Sequence, residues 1–257
     1  MRVVARDGLA PHLGKAPPGQ PVHSCAQLWG RQAEEDAFVV GTGTSLAGFD
    51  FTRLAGRLTI ALNDALLCPG LDPAYHLFHD HGLWVRYVHV QPHPRTWFVV
   101  QRHAREQFEK NDKCVFKARI VQYAHAGSPR EVQQADGTLY TDRTVATAGI
   151  QLAWKLGARR IFLLGVDGYK IRRKDGSESY YWDGKPKGND KRKERQAGEL
   201  VIQDRHDKWK ENMRDLRRAF DAKKVLPCKW PGPGVYNLSE KSQIDGWPKV
   251  PIGEVIQ

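Results

Sequence analysis

One feature constrains this chain more than any other. Ala37-Phe-Val-Val40 is an apolar run too short for a helix, and it feeds straight into Gly41-Thr-Gly-Thr-Ser45. A short continuous apolar run closed by turn residues reads as a strand buried on both faces, the habit of strands in parallel sheets. The pattern recurs. Leu58-Thr-Ile-Ala-Leu62 ends in Asn63-Asp64, Tyr75-His-Leu-Phe78 runs into His79-Asp80-His81, and Thr96-Trp-Phe-Val-Val100 precedes a polar helical stretch near 102–110. Further on, a helix is expected over 147–156, with Ile150, Ala153 and Trp154 at helical spacing. Arg160-Ile-Phe-Leu-Leu164 then forms a strand that leaves through Gly165-Val-Asp167-Gly168-Tyr169. Short apolar strands separated by helical stretches predict an α/β fold around a mostly parallel sheet.

The remaining segments give the domain plan. Residues 1–36 are rich in Pro and Gly and read as an irregular arm, with one domain expected over 37–226. Residues 170–204 are almost without aliphatic side chains and dense in Lys, Arg, Asp and Gly. Such a segment cannot bury a core of its own, so a mobile lid is expected there. A long helix follows, with an apolar stripe of Trp209, Met213, Leu216 and Phe220 spaced to keep one face inward. Lys224-Val-Leu226 reads as a closing strand, and 227–257 as a tail packed on the surface.

Composition removes whole classes. The 257 residues are 40% hydrophobic, 10% aromatic and 27% charged, a globular balance and not a disordered one. No apolar run approaches the roughly 18–20 residues of a membrane span. The opening Met1-Arg-Val-Val-Ala-Arg-Asp7 lacks the apolar centre of a signal peptide. Four cysteines, at 25, 68, 114 and 228, are scattered without a CxxC, against both a disulfide framework and a thiolate zinc site. A cytoplasmic location is the expectation. The formal charge is +11, and it is uneven: 155–224 holds 21 Lys and Arg against 12 Asp and Glu, a local excess of nine. Such an excess is either a solvated surface or a footprint for a polyanion or phosphorylated substrate.

Several residues could carry chemistry. Gly41, Thr42, Gly43, Thr44 and Ser45, between a strand and an expected helix, form a candidate phosphate cradle, although the loop is neither GxGxxG nor a Walker A. Asn63, Asp80 and Asp167 sit at or just past strand ends, which converge on one crevice in open α/β sheets. His76, His79 and His81 look like metal ligands by composition, but in a strand 79 and 81 share a face that 76 does not, and no metal is expected. His206 lies three residues before Trp209, on or beside the inward stripe, and histidine is the natural general base near neutral pH. Tyr169 and the group Tyr180-Tyr181-Trp182 are aromatic residues in a polar segment. They could staple a lid down or bring hydroxyls to a departing phosphate.

Taken together, Val39-Val-Gly-Thr-Gly-Thr-Ser-Leu46 with Asp50-Phe-Thr-Arg53, then Ile60-Ala-Leu-Asn63, resembles the N-terminal signature of the bacterial lipooligosaccharide sialyltransferases, glycosyltransferase family 42. Thr147-Ala-Gly149, Ile161-Phe-Leu-Leu-Gly-Val-Asp167, Tyr169, Ser179-Tyr180, Asp183 and His206 follow that family's order and approximate spacing. The resemblance covers roughly 37–225, with the middle third barely matching. The same pattern occurs in a related archaeal pterin pyrophosphokinase-like group. Thr42 and Thr44 stand where the family's loop has Asn and Pro, and Thr147-Ala148 replaces its Thr-Ser.

The resemblance implies a Rossmann-like sheet with helices on both faces, a lid, and a metal-independent transferase without a cofactor beyond its nucleotide-sugar co-substrate. Carried over by position, Gly41–Ser45, Asn63 and Asp167 would hold the nucleotide and its phosphate, with Asp80 at the same crevice. Thr147, Ala148 and Gly149 would line the donor site. Tyr169 and Tyr180 would stabilise the leaving phosphate, and His206 would deprotonate the acceptor hydroxyl. The acceptor is left open between a glycan, an anionic glycolipid and a hydroxymethylated base in DNA, which the basic stretch would attract. Two other classes stand beside this reading: a metal-dependent pyrophosphokinase of the pterin type, and a nucleic-acid-binding module without catalysis.

Overall fold

The computed structural model describes residues 25–28, 30, 32, 35–79, 87, 96–101, 119–131, 137–141, 144–168, 171–172, 178–179, 199–222, 229–240 and 242–256, with only the backbone at 27, 171–172, 178–179 and 199–207. Eight strands form one sheet: β1 (Asp36–Val40), β2 (Leu58–Leu62), β3 (Tyr75–Leu77), β4 (Trp97–Gln101), β5 (Ile120–Ala126), β6 (Thr138–Tyr140), β7 (Arg160–Leu164) and β10 (Gly234–Asn237). Their order is β10-β7-β1-β2-β3-β4-β5-β6, and every pairing is parallel. A separate antiparallel pair, β8 (Ile171–Arg172) and β9 (Glu178–Ser179), follows the sheet's seventh strand.

The α/β sheet expected from the apolar runs is present, and its alternation explains why those runs are continuous. Ala37 and Val39 enter one core and Phe38 and Val40 the other. The first core lies under α1 (Val145–Leu156) and α2 (Glu199–Ala222), and takes in Ile150, Trp154, Met213, Leu216 and Phe220. The anticipated stripe on α2 is therefore the buried one, with Trp209 half-buried at its start. The second core is closed by Phe51 and Leu54 from a 3-10 turn and by Leu238, Val250 and Ile256 from the C-terminal segment. Among the described residues, both long helices lie on the first face.

α1 starts cleanly because the Thr144 hydroxyl caps it, accepting from the Ala146 N–H, and it stops at Gly157 in a left-handed turn. Its direction is antiparallel to the strands. Gly149 packs on Leu62 and Val39 near the carboxyl ends of β2 and β1, and the helix ends just before β7 begins. Trp154 meets Phe220 of α2 with ring centroids 5.3 Å apart, so the two helices end at the same edge. The N-terminus of α1 therefore sits at the carboxyl edge of the sheet.

Three elements differ from the sequence expectation. β5 and β6 were not anticipated. The tail after Pro227 does not merely cover the surface: Gly234–Asn237 pairs with β7 and becomes the sheet's edge strand. The expected strand at 224–226 and helix at 102–110 lie outside the described residues. Within the expected lid at 170–204, the described elements are the β8–β9 pair and the first turns of α2. No helix among the described residues is long and apolar enough to cross a membrane, and the described cysteines, Cys25 and Cys68, are buried and form no disulfide.

The core should dominate stability. Phe162 is fully buried and stacks on Phe38 at 5.2 Å. Phe162→Ala is expected to cost about 3–5 kcal/mol in urea denaturation. Arg218→Ala removes an exposed helix ion pair with Asp215 and should change stability by less than about 1 kcal/mol.

Candidate active site

The sheet order places a switch point between β1 and β7: from β1 the chain winds outward through β2 to β6, then α1 carries it back to the other side of β1. Open parallel sheets bind ligands outside the carboxyl ends of the strands at such a point. Here the loops that leave β1 and β7 meet. The Gly41 N–H donates to the Leu164 carbonyl at 2.8 Å and the Gly43 N–H to the Gly165 carbonyl at 2.8 Å. Ser45 completes the seam, its N–H donating to Asp167 Oδ2 at 2.9 Å and its hydroxyl to Oδ1 at 2.5 Å.

This contact accounts for the glycines. A Cβ on Gly41 would stand 2.5 Å from the Gly165 carbonyl oxygen, and one on Gly43 2.6 Å from the same atom. Both approaches are too close for any side chain, so the glycines let one loop lie against the other and do not clear room for a ligand. The cradle expected from the sequence is corrected in two respects. The element after it is a single 3-10 turn, Thr44–Leu46, with no α-helix to lend a dipole. The amides of Gly41, Gly43 and Ser45 are used inside the protein. The loop alternates, and Thr42 and Thr44 take the other positions. Among the described residues, neither Thr42 nor Thr44 spends its N–H or its hydroxyl on a protein partner, and both are half-buried.

Asp167 is 3% exposed and both of its oxygens receive Ser45. Its side chain is engaged at this seam, and the C-terminal segment bonds to its backbone from behind. The Gln243 N–H donates to the Asp167 carbonyl at 2.7 Å, and the Ser242 hydroxyl reaches the Val166 and Asp167 carbonyls at 3.0 and 3.2 Å. Asn237 Nδ2 donates to that hydroxyl at 2.8 Å. Ser242 and Asn237 were not singled out from the sequence. A serine in a polar tail carries no signal of this kind.

Asn63 ends β2 beside this seam. It has φ +49°, the left-handed region, unlike any other described non-glycine residue. The β1–β2 register pairs Val40 with Ala61, so the loop after β1 and the turn that opens at Asn63 leave neighbouring strands at the same edge of the sheet. Thr147, Ala148 and Gly149 do not join the group at the surface. All three are buried in α1, and the Thr147 hydroxyl donates to the Tyr140 and Thr144 carbonyls at 2.8 Å each. They seat the helix on the sheet. Asp80, Tyr169 and Tyr180 lie outside the described residues. His206 lies in α2, seven residues before the buried Met213, and its side chain is outside the described set.

Over 91% of its length the chain superposes on the MAf glycosyltransferase from Magnetospirillum magneticum AMB-1, with TM-score 0.50 and 14% identity. The two share a fold. This chain spans 38% of that protein. The sialyltransferase CstII from Campylobacter jejuni is also similar. In complex with CMP-3FNeuAc it gives TM-score 0.46 and 14% identity, over 84% of this chain and 86% of that one. With a trisaccharide acceptor and CMP it gives TM-score 0.45 at the same identity and coverage. No protein-family model and no curated protein matches the chain.

His76 and His79 have separate surroundings, and His81 lies outside the described residues. His76 is fully buried among Phe78, Tyr87 and Phe98. His79 lies with Tyr123 and Gln101, its Nδ1 3.1 Å from the tyrosine hydroxyl and 2.9 Å from the Gln101 amide nitrogen. No group of three metal-ligating side chains occurs among the described residues. Burial pushes the His76 pKa down from 6.5 to about 4, against the opposing pull of its bond to the Asn63 carbonyl.

The unfolded chain takes a proton on this imidazole near 6.5, and the folded protein only near 4. Stability present above pH 6.5 should therefore fall by about 3 kcal/mol as pH drops toward 4. His76→Leu should flatten that part of the pH–stability curve, measured by urea denaturation at several pH values.

Proposed function

We propose that the protein is a nucleotide-sugar-dependent glycosyltransferase. The observation that carries this is Thr42 and Thr44 in the loop at the carboxyl end of β1, beside the β1–β7 switch point, with the turn that opens at Asn63 leaving the neighbouring strand. Two unspent backbone N–H groups and two unspent hydroxyls on one rigid loop suit an oxyanion such as a nucleotide phosphate. The fold shared with a glycosyltransferase and the motif resemblance along the chain support the same reading.

In this proposal the acceptor hydroxyl gives its proton to His206 and its oxygen attacks the anomeric carbon of the donor sugar. The bond from that carbon to the phosphate oxygen breaks, and the nucleotide leaves with the new negative charge. Thr42 and Thr44 hold that charge from the loop. Tyr169 and Tyr180, on either side of the β8–β9 pair in sequence, supply hydroxyls to it in place of a metal. Asp167 acts only by holding Ser45, and so the loop, in place.

For the acceptor, the proposal is an anionic polymer, with a hydroxymethylated base in duplex DNA as its specific form. The local excess of nine positive charges over 155–224 supports it. Salt-dependent duplex binding and a sugar mass increment on treated hydroxymethylated DNA are the expected results. With neither, and with transfer to a glycan instead, the acceptor belongs to the glycan class.

The donor is tested by thermal shift with nucleotides and nucleotide sugars, with and without EDTA. A nucleotide sugar at 100 times its Kd should add about 2.7 kcal/mol of stability, unchanged by EDTA and lost in a folded Gly43→Ala variant. Stabilisation only by ATP with Mg²⁺ would assign pyrophosphate transfer instead.

A further inference from the structure

His76 sits at the centre of β3 with no exposed surface. Three aromatic rings enclose it: Tyr87, Phe78 and Phe98, with centroids 4.6, 5.2 and 5.3 Å away. A leucine would suit such a cage. The imidazole instead leaves its Nδ1 buried without a hydrogen-bond partner, an arrangement that costs stability. Its other nitrogen has one partner. The Nε2–H of the neutral ring donates to the Asn63 carbonyl at 2.8 Å.

That carbonyl belongs to the residue held at φ +49°. Asn tolerates the left-handed region better than most residues, yet extended backbone competes with it. A donor fixed in the core selects the orientation of this one peptide group. The next residue is tied in the same way, since the Tyr87 hydroxyl donates to Asp64 Oδ1 at 2.8 Å. The short turn Asn63–Leu67 is thus pinned at both of its first two residues from the β3 side. The Asn63 side-chain amide, half-buried, makes no hydrogen bond among the described residues.

We infer that His76 is a positioning residue for ligand binding: through the Asn63 carbonyl it fixes the left-handed turn that carries the Asn63 amide at the carboxyl end of β2, the strand next to the Thr42 loop. Its ligand is the nucleotide's polar part, and the inference rests on the switch-point crevice being a nucleotide site. His76 touches no substrate. It acts through the backbone of a residue that does, and its imidazole is retained for one N–H at the expense of a satisfied core.

The test compares His76→Leu and His76→Gln with the wild type by calorimetric titration of nucleoside 5′-monophosphates, by melting temperature, and by the ¹³Cα chemical shift of Asn63. The leucine variant should melt no lower than the wild type near neutral pH, bind the nucleotide about tenfold more weakly, and move the Asn63 shift away from its left-handed value. The glutamine variant, which keeps an N–H donor, should stay within about threefold of the wild type. A residue that merely fills the core would give the opposite pattern, lower melting with unchanged affinity. A folded leucine variant with wild-type affinity, or one in which the Asn63 shift does not move, overturns the inference. If the wild type itself binds no nucleotide, the nucleotide-site reading fails, and the shift of Asn63 still decides whether His76 holds the turn.

Discussion

The seam between the loops that leave β1 and β7 is the constraint on which the rest of this site depends. Two backbone hydrogen bonds and the double contact from Ser45 to Asp167 close it. A carboxylate only 3% exposed is expensive unless paired. Once Ser45 supplies both donors, Asp167 holds the loop in a single register. That register decides which amides are spent and which remain. Gly41, Gly43 and Ser45 face the seam, and the donors of Thr42 and Thr44 have no protein partner among the described residues. The same geometry forbids a side chain at either glycine.

The site is also built from behind. Asn237, Ser242 and Gln243 tie the C-terminal segment to the carbonyls of Val166 and Asp167, and β10 extends the sheet next to β7. On the other flank, His76 and Tyr87 hold the turn after β2. Three strand ends are thus each fixed by a buried polar group from a different part of the chain. Buried polar groups placed in this way hold the loops at the carboxyl edge in one arrangement.

Much of this was legible in the sequence, and the reasons differ from element to element. The strands at 37–40, 58–62 and 160–164 were readable because a strand buried on both faces shows as an unbroken apolar run. The stripe on α2 was readable because Met213, Leu216 and Phe220 keep helical period. β5 was not, since Ile120-Val-Gln-Tyr-Ala-His-Ala126 mixes polar and apolar residues and its outer half faces solvent. β10 was hidden by its setting, a four-residue strand beginning at the end of Pro231-Gly-Pro-Gly234. The glycine loop, Asn63 and Asp167 were legible as residues just past strand ends. Their parts were not: spacing cannot tell a glycine that clears room for phosphate from one that lets two loops touch. His76 was read only as one of three histidines. Its bond to a backbone carbonyl thirteen residues away leaves no pattern in the chain.

The most direct test of the account is a crystal structure with the nucleotide that gives the largest thermal shift. The account predicts its phosphate on the N–H and hydroxyl groups of Thr42 and Thr44, with the Asn63 amide in contact and the Ser45–Asp167 contact unchanged. A nucleotide seated away from the β1–β7 switch point, or one whose binding breaks the Ser45–Asp167 contact to free those amides, would contradict it.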